Sequence, residues 1–340
     1  MIYNKSIFFY IFNNYNIYMQ KEQKKQIKLG EFKPVGRIVV IGDLHGDILQ
    51  LLSILINANL IERINSSTCI SENDYDINNW KWTGKTTRLV QMGDIFDGKR
   101  GDDDVFKDNE VEIYNFLVGL KHKARKQKGN VFILVGNHEL MNFNRDYRYV
   151  QDGSMTKCLY EKKGNFSFKA ENKKCNDRNK LFRIPDGPLA KSMYKYVYGI
   201  IRIGDFVFCH GGVSLELAKK YTITQMNIVF KKYLKNKHIN SFDKIYGSNG
   251  ITWFRGYTNN NNCSEFHETL KKLKVKKMVV GHTPQSDGIT NYCMLQKKSL
   301  LAVDVGLSRA FKNNSHFLQY AEILNNSKVN IMTCAQKKMC

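Results

Sequence analysis

The chain is expected to adopt an α/β fold, and three observations lead there. Five short β-like stretches, Arg37–Ile41, Thr87–Met92, Asn130–Val135, Asp205–Cys209 and Lys276–Val280, each run directly into a polar, glycine-containing turn. Between them lie segments whose apolar residues recur at helical spacing. Hydrophobic residues make up 42% of the 340-residue chain and aromatics 12%, enough for a sizeable core and too much for general disorder. Turns that follow packed strands converge on one edge of a fold, where rigid elements hold side chains in place.

Taken in order, residues 1–33 read as a tail. Ile7–Phe12 is an apolar hexamer behind Lys5, broken by Asn13 and Asn14 and followed by no small-residue cleavage site. It is too short for a membrane span and poor as a signal peptide, so no transmembrane span is expected. The Lys/Gln-rich run Met19–Lys28 reads as solvated, and Met19 offers an alternative start. Residue 2 is Ile, which excludes N-myristoylation from the first Met.

The folded domain is expected over 34–325. Asp47–Ile61 reads as a helix with Ile48, Leu51, Leu52, Leu55 and Ile56 on one side. Asn65–Lys85 is an insertion before the second strand. Glu110–Lys126 starts acidic and ends basic, as the helix dipole favours. The Lys/Asn-rich stretch Val150–Ile184 is a second insertion, expected to form an ordered cap with a mobile polar middle. Helices follow at Thr222–Asn236 and Ser264–Lys274, and late strands at Ser299–Val303 and Phe317–Ile323. Residues 326–340 read as a polar tail, and there is no internal repeat.

The net charge of +22, from 53 basic and 31 acidic residues, favours acidic partners, phosphorylated proteins, anionic membranes or nucleic acid. The lysines are dispersed, no basic repeat carries interleaved aromatics, and abundant Asn, Lys, Ile and Tyr match A/T-rich codon usage. No specific nucleic-acid partner is therefore expected. The eight cysteines are scattered without a Cys-x-x-Cys pair. Cys158 and Cys175 are placed to pair in an oxidising compartment, but free thiols in a reducing cytosol are the simpler expectation. That favours the cytoplasm, with the secretory pathway as the alternative should the apolar start act as a signal. Oligomeric state leaves no trace in the sequence.

The turns read Gly42-Asp43-Leu44-His45-Gly46, Gly93-Asp94-Ile95-Phe96-Asp97-Gly98, Gly136-Asn137-His138-Glu139, His210-Gly211-Gly212 and Gly281-His282-Thr283. Any one of them is compatible with a capped strand-to-helix turn; five in order, each with a metal-ligand residue, indicate a dinuclear metal site acting on phosphoesters. A phosphate monoester resists attack because the nucleophile must approach an anion. Two divalent ions about 3.5–4 Å apart neutralise that charge and convert a bridging water into an attacking hydroxide near neutral pH. Asp43 and His45 suit the first ion, Asp94 the bridge, and Asn137, His210 and His282 the second. Asn is a neutral donor and adds no charge to repel the substrate. Of eight histidines, the four outside these turns (His122, His238, His267, His316) lie in polar or amphipathic surroundings and read as surface residues. His138 is assigned as general acid for the leaving oxygen, with Asp97 holding its imidazole. Glu139 is assigned to orienting the loop.

The motifs resemble those of the phosphoprotein phosphatase superfamily of metallophosphatases over about Val35 to Phe311. Gly136-Asn137-His138-Glu139-Leu140-Met141-Asn142, Asp146-Tyr147-Arg148-Tyr149-Val150, Asp186-Gly187-Pro188-Leu189-Ala190, Trp253-Phe254-Arg255-Gly256-Tyr257 and Asp304-Val305-Gly306-Leu307-Ser308-Arg309-Ala310 are similar to the Shewanella-like branch. The resemblance implies a calcineurin-like fold, a central β-sandwich flanked by helices, here with an inserted cap. It implies the six metal ligands named above, the acid pair of His138 and Asp97, and a phosphate-clamping Arg255, whose planar fork suits that task. It further implies a phosphoprotein phosphatase for phosphoserine/threonine or phosphotyrosine. Mn²⁺ or Fe²⁺ suits the mixed O/N ligation, and Zn²⁺ is compatible with it.

The chain departs from the family at one position. The family places Arg directly after the Asp at 97; here Gly98 stands there, followed by Lys99 and Arg100. Either Arg100 reaches in from a longer loop as the second clamp, or the clamp is weakened. Asp102-Asp103-Asp104 then forms an unusual acidic run. The competing readings are a symmetrical dinucleoside-tetraphosphate hydrolase, which shares the metal motifs, and a catalytically impaired, phosphatase-like binding protein.

Overall fold

β-branched apolar runs form the strands, and amphipathic segments close back over them. The computed structural model describes residues 28–65, 69–100, 109–151, 158–162, 165–169, 178–235, 239–260, 262–311 and 317–334. The first half contains β1 (Glu31–Phe32), β2 (Arg37–Ile41), α1 (Ile48–Asn57), β3 (Ile61–Arg63), β4 (Trp80–Trp82), β5 (Arg88–Gln91), α2 (Glu110–Lys126), β6 (Asn130–Leu134) and α3 (Asn137–Phe143). The second insertion contributes an antiparallel hairpin, β7 (Cys158–Lys162) and β8 (Asn165–Lys169), and a helical turn, α4 (Arg178–Leu181). After it come α5 (Pro188–Tyr196), β9 (Val197–Tyr198), β10 (Ile200–Ile203), β11 (Phe206–Cys209), α6 (Leu215–Lys220), α7 (Ile223–Lys235), α8 (Phe242–Tyr246) and α9 (Gly256–Asn259). The chain finishes with α10 (Cys263–Leu273), β12 (Lys277–Val280), β13 (Thr290–Leu295), β14 (Lys298–Ala302), β15 (Gln319–Leu324) and β16 (Lys328–Thr333).

The strands make two six-stranded sheets, ordered β1-β10-β11-β12-β14-β13 and β16-β15-β2-β5-β6-β9. In the second sheet β2, β5 and β6 run parallel, with Val40 opposite Val90 and Leu89 opposite Val131. In the first, β11, β12 and β14 run parallel. Strands buried on both faces carry continuous apolar runs, and Ile38–Ile41 and Phe206–Cys209 are almost fully buried. Both sheets contribute to a single hydrophobic core. The parallel sense decides where the chemistry lies. Three motif turns leave the carboxyl ends of β2, β5 and β6, two leave those of β11 and β12, and the sheets bring these ends together. Their junction is tied where His210 Nδ1 lies 2.8 Å from the Met92 carbonyl oxygen and where the His282 amide donates to Asp43 Oδ2 at 3.0 Å.

Helix limits follow local chemistry. α2 occupies the full expected span, whereas α1 stops at Asn57 instead of continuing to Ile61. Asn59 turns left-handed (φ 52°), and the Asn59 and Leu60 amides bond back to the Ile56 and Leu55 carbonyls, both at 2.9 Å. Such a reversal closes a helix and aims the chain into β3.

Three other expectations change. Part of the amino-terminal tail is structured, since β1 pairs with β10 (Glu31 opposite Arg202). So is part of the carboxyl-terminal tail, where β16 pairs with β15 from Gln319–Thr333 to Leu324–Lys328. Both are edge strands and partly exposed. Within the insertion Asn65–Lys85, Trp80 and Trp82 are buried, and their indoles donate to the Asp74 and Lys85 carbonyls, each at 2.9 Å. The expectation of free thiols throughout is also corrected. Cys263 at the start of α10 is disulfide-bonded to Cys293 on β13, 30 residues away, because the fold lays that helix end against that strand. Cys69 is likewise disulfide-bonded, while Cys209 is a buried free thiol. Ile7–Phe12, most of Met19–Lys28, Cys175, His238, His316, Asp102–Asp104 and the middle of the second insertion lie outside the described residues. Among the described residues no helix is long and apolar enough to cross a membrane.

Candidate metal centre

Sharp turns at the strand ends aim the functional side chains inward. His45, Asp94, Asp97 and His282 have positive φ (42°, 50°, 69° and 65°), a conformation that costs a non-glycine residue about 1–2 kcal/mol. Glycine supplies the clearance between them. A Cβ on Gly136 would lie 2.1 Å from Asp94 Oδ1, and one on Gly281 would lie 2.4 Å from Asp43 Oδ1. Neither position tolerates a side chain without moving a carboxylate.

Asp94 sits at the middle of the cluster. Its carboxylate belongs to two groups of mutually close donors, one with His45 and His138 and the other with His210 and His282. Asp94 Oδ2 is 3.2 Å from His210 Nε2, 3.8 Å from His138 Nε2 and 3.9 Å from His45 Nε2. The Asn137 side-chain oxygen lies 2.9 Å from His210 Nε2. Asp43 joins through Oδ2, which accepts the His282 amide at 3.0 Å. The fold thus gathers all six sequence-assigned ligands at one place, each buried. Backbone carbonyls fix the imidazoles: His210 Nδ1 lies 2.8 Å from Met92 O, and His45 Nδ1 lies 3.1 Å from the oxygens of Phe96 and Asp97. Such bonds orient a ring and leave the other nitrogen for a ligand.

The electrostatics fit cations. Burial pushes the Asp43 carboxyl well above its usual range, assisted by the neighbouring carboxylates of Asp304 and Asp94. Burial also opposes ionisation of Asp94, but His210, His138 and His45 outweigh it and hold that carboxyl well below its usual range. Asp43 Oδ1 is buried with no hydrogen-bond partner. A buried carboxylate oxygen left unpaired is costly, and a divalent ion among neutral imidazoles, an amide oxygen and carboxylates satisfies it. The donor set therefore fits divalent metal.

Asp304 is a site residue that sequence reasoning did not assign. It is 2% exposed, touches Asp43, donates no ligand motif of its own, and burial raises its carboxyl to about 6. Its only sequence signal is its place in Asp304-Val305-Gly306, just after β14, beside the strand that carries His282.

Beside the ligands, His138 Nδ1 is 2.9 Å from Asp97 Oδ2. Burial disfavours the imidazolium of His138, yet Asp94 and Asp97 overcome this and raise its pKa above the ordinary value. Glu139 receives the amides of Gly136 (2.6 Å), Ile95 (2.8 Å) and Asp94 (3.1 Å), tying the second and third motif turns together. Arg255 is exposed at the rim and donates to the His282 carbonyl at 3.0 Å. Arg100 enters from the opposite side. Its guanidinium lies between the rings of Tyr149 (5.2 Å) and Phe311 (4.8 Å), with Nη2 3.1 Å from His45 Nε2. Position 98 has no room for a side chain, because a Cβ there would lie 2.8 Å from the His45 carbonyl oxygen.

Comparison with known proteins agrees with this picture. The sequence pattern of the calcineurin-like phosphoesterase family matches residues 36–286. Shewanella-like protein phosphatase 2 of Arabidopsis thaliana is 27% identical, the match covering 91% of this chain and 81% of that protein. Shewanella-like protein phosphatase 1 of Plasmodium berghei is 28% identical, covering 92% of this chain and 78% of that one. Among solved structures, the cold-active protein-tyrosine phosphatase of a psychrophilic Shewanella species superposes with a TM-score of 0.63 at 24% identity, over 92% of this chain and 84% of its own. A mutant cold-active protein tyrosine phosphatase gives 0.67 at 23% identity, over 92% and 84%. These structural likenesses bear on the fold alone.

Proposed function

The chain belongs to the calcineurin-like phosphoesterase family, and from that premise we propose that it is a metal-dependent phosphoprotein phosphatase of the Shewanella-like branch. The observation that carries this reading is the Asp94 carboxylate shared between two donor groups, with the His138–Asp97 pair alongside. The names of the relatives, two Shewanella-like protein phosphatases, support protein substrates. Phosphotyrosine is to be tested beside phosphoserine and phosphothreonine, because the Shewanella-like resemblance admits either class.

In this reading Asp43, His45, Asp94, Asn137, His210 and His282 hold two divalent ions, Mn²⁺ or Fe²⁺ by donor type, with Zn²⁺ accommodated by the same set. Bound there, such ions neutralise phosphoryl charge and lower the pKa of water near the phosphorus. His138 holds a proton facing the leaving oxygen, and Asp97 keeps its imidazole oriented and charged. Arg255 and Arg100 are the phosphate clamps, each presenting a planar fork to phosphoryl oxygens. Glu139 keeps the turns in register. The Cys263–Cys293 disulfide supports residence in a compartment that oxidises thiols rather than in a reducing cytosol.

The test is Mn²⁺-dependent phosphate release from matched phosphotyrosine and phosphothreonine peptides, with diadenosine tetraphosphate alongside. Turnover of a peptide that vanishes in Asp94→Asn supports the proposal. Turnover of the nucleotide alone would transfer the chain to the dinucleoside-tetraphosphate hydrolases, and silence on all three would leave a binding protein.

A further inference from the structure

A fully buried arginine stands behind the His138–Asp97 pair, and it comes from the far end of the second insertion. Arg178, in α4, is 2% exposed. Asp97 turns Oδ2 to His138 Nδ1 and Oδ1 to the other side, where it accepts from Arg178 Nη2 (3.2 Å) and Asn142 Nδ2 (2.8 Å). Arg178 also donates through Nε to the Asn142 side-chain oxygen and through Nη1 to Glu110. Glu110 in turn accepts the Asp97 backbone amide at 2.8 Å, and Asn142 Nδ2 donates to the His138 carbonyl at 2.8 Å. Phe96, Tyr147 and Phe182 wall the guanidinium in, the nearest ring centroid being 5.4 Å away on Phe182.

Both the side chain and the backbone of Asp97 are therefore fastened to one guanidinium, directly and through Glu110. Asp97 can bond His138 in line only while it keeps its rotamer, and Arg178 with Asn142 sets that rotamer. We propose that Arg178 is a positioning residue for the general acid, so that the far end of the insertion is coupled to proton delivery. This rests on the assignment of His138 as general acid. The sequence conceals the role, because Arg178 follows a Lys/Asn-rich run and carries no motif of its own. A purely structural anchor would occupy the same place, so the test must read the proton and not only stability.

The experiment uses the full chain loaded with Mn²⁺ and two esters of similar shape, 4-nitrophenyl phosphate and phenyl phosphate. The first expels a stable anion, whereas the second needs its leaving oxygen protonated. His138→Gln is expected to lower kcat on phenyl phosphate by about 100-fold or more and on 4-nitrophenyl phosphate far less. Arg178→Gln is expected to reproduce that selective loss at about 10-fold or more with KM within about twofold, and Arg178→Lys to restore part of it. Adding Arg178→Gln to His138→Gln should then cost nothing further, as groups acting as a unit do. Equal losses on both esters, no loss, or additive losses would each overturn the proposal while leaving His138 in place. If the Gln variant does not fold, the ratio of the two esters in the Lys variant decides by the same criterion. A wild-type chain inert toward both esters with Mn²⁺ would remove the phosphatase reading and this inference together.

Discussion

Replacing Arg100 tests whether the missing arginine at position 98 has been replaced in space. The structure rules out restoring it in place, since a Cβ on Gly98 meets the His45 carbonyl oxygen at 2.8 Å. Arg100 is preorganised: Nη1 donates to the carbonyls of Asp97 (2.9 Å) and Lys99 (2.7 Å), and two aromatic rings hold its plane. Held this way, its remaining donors lose little entropy on meeting an anion. A hydrogen bond to a charged group is worth about 1.5–3 kcal/mol, which converts to a loss of roughly 10- to 150-fold in kcat/KM for Arg100→Met. Arg100→Lys keeps the charge without the fork and should lie between. Steady-state kinetics on a phosphotyrosine peptide, with competitive inhibition by inorganic phosphate, reads both effects, and the inhibition constant should rise in parallel. Gly98→Arg added to Arg100→Met should fail to recover activity. An Arg100→Met enzyme within twofold of wild type on both measures would refute the reasoning, as would recovery by Gly98→Arg.

Four further outcomes are expected. Gly281→Ala should push the Asp43 carboxylate, 2.4 Å from the new Cβ, and lower Mn²⁺ affinity by at least about 10-fold in equilibrium dialysis while the circular dichroism spectrum stays native. Asp94→Asn should bind fewer than one Mn²⁺ per chain in the same assay, whereas two retained ions would deny Asp94 its bridging place. The Cys263–Cys293 link closes a loop with a sequence separation of 30, so Cys263→Ser with Cys293→Ser should destabilise by ~3–4 kcal/mol in urea unfolding; an unchanged midpoint would deny the link any role in stability. Burial lowers the Lys121 ammonium to about 7 from 10.5. Between those values the unfolded chain binds a proton that the folded chain lacks, so stability rises with pH across that window. The Lys121 share of that slope should be at most about 1.4 kcal/mol per pH unit, and Lys121→Met should remove that share between pH 7.5 and 9.5, leaving the one from Lys231, which burial likewise lowers to about 7.

The sequence by itself determined which residues are the candidate ligands and most of the strands that carry them. Each motif turn combines an apolar run, which must be buried, with glycine and a metal-ligand residue, and such local signals survive without coordinates. The limits of α2 were equally local, set by apolar period and charge order. Other features depended on neighbours distant in the chain. β1 and β16 are edge strands whose partners, not their own composition, make them strands. The Cys263–Cys293 pair, Asp304 beside Asp43, and Arg178 behind Asp97 arise where separate segments meet, and no spacing along the chain encodes a meeting. The surroundings of positions 98 and 100 are the plainest case. The sequence offered Arg100 and a weakened clamp as equals; only the tertiary structure sets the His45 carbonyl against position 98 and the Tyr149 and Phe311 rings beside the Arg100 guanidinium.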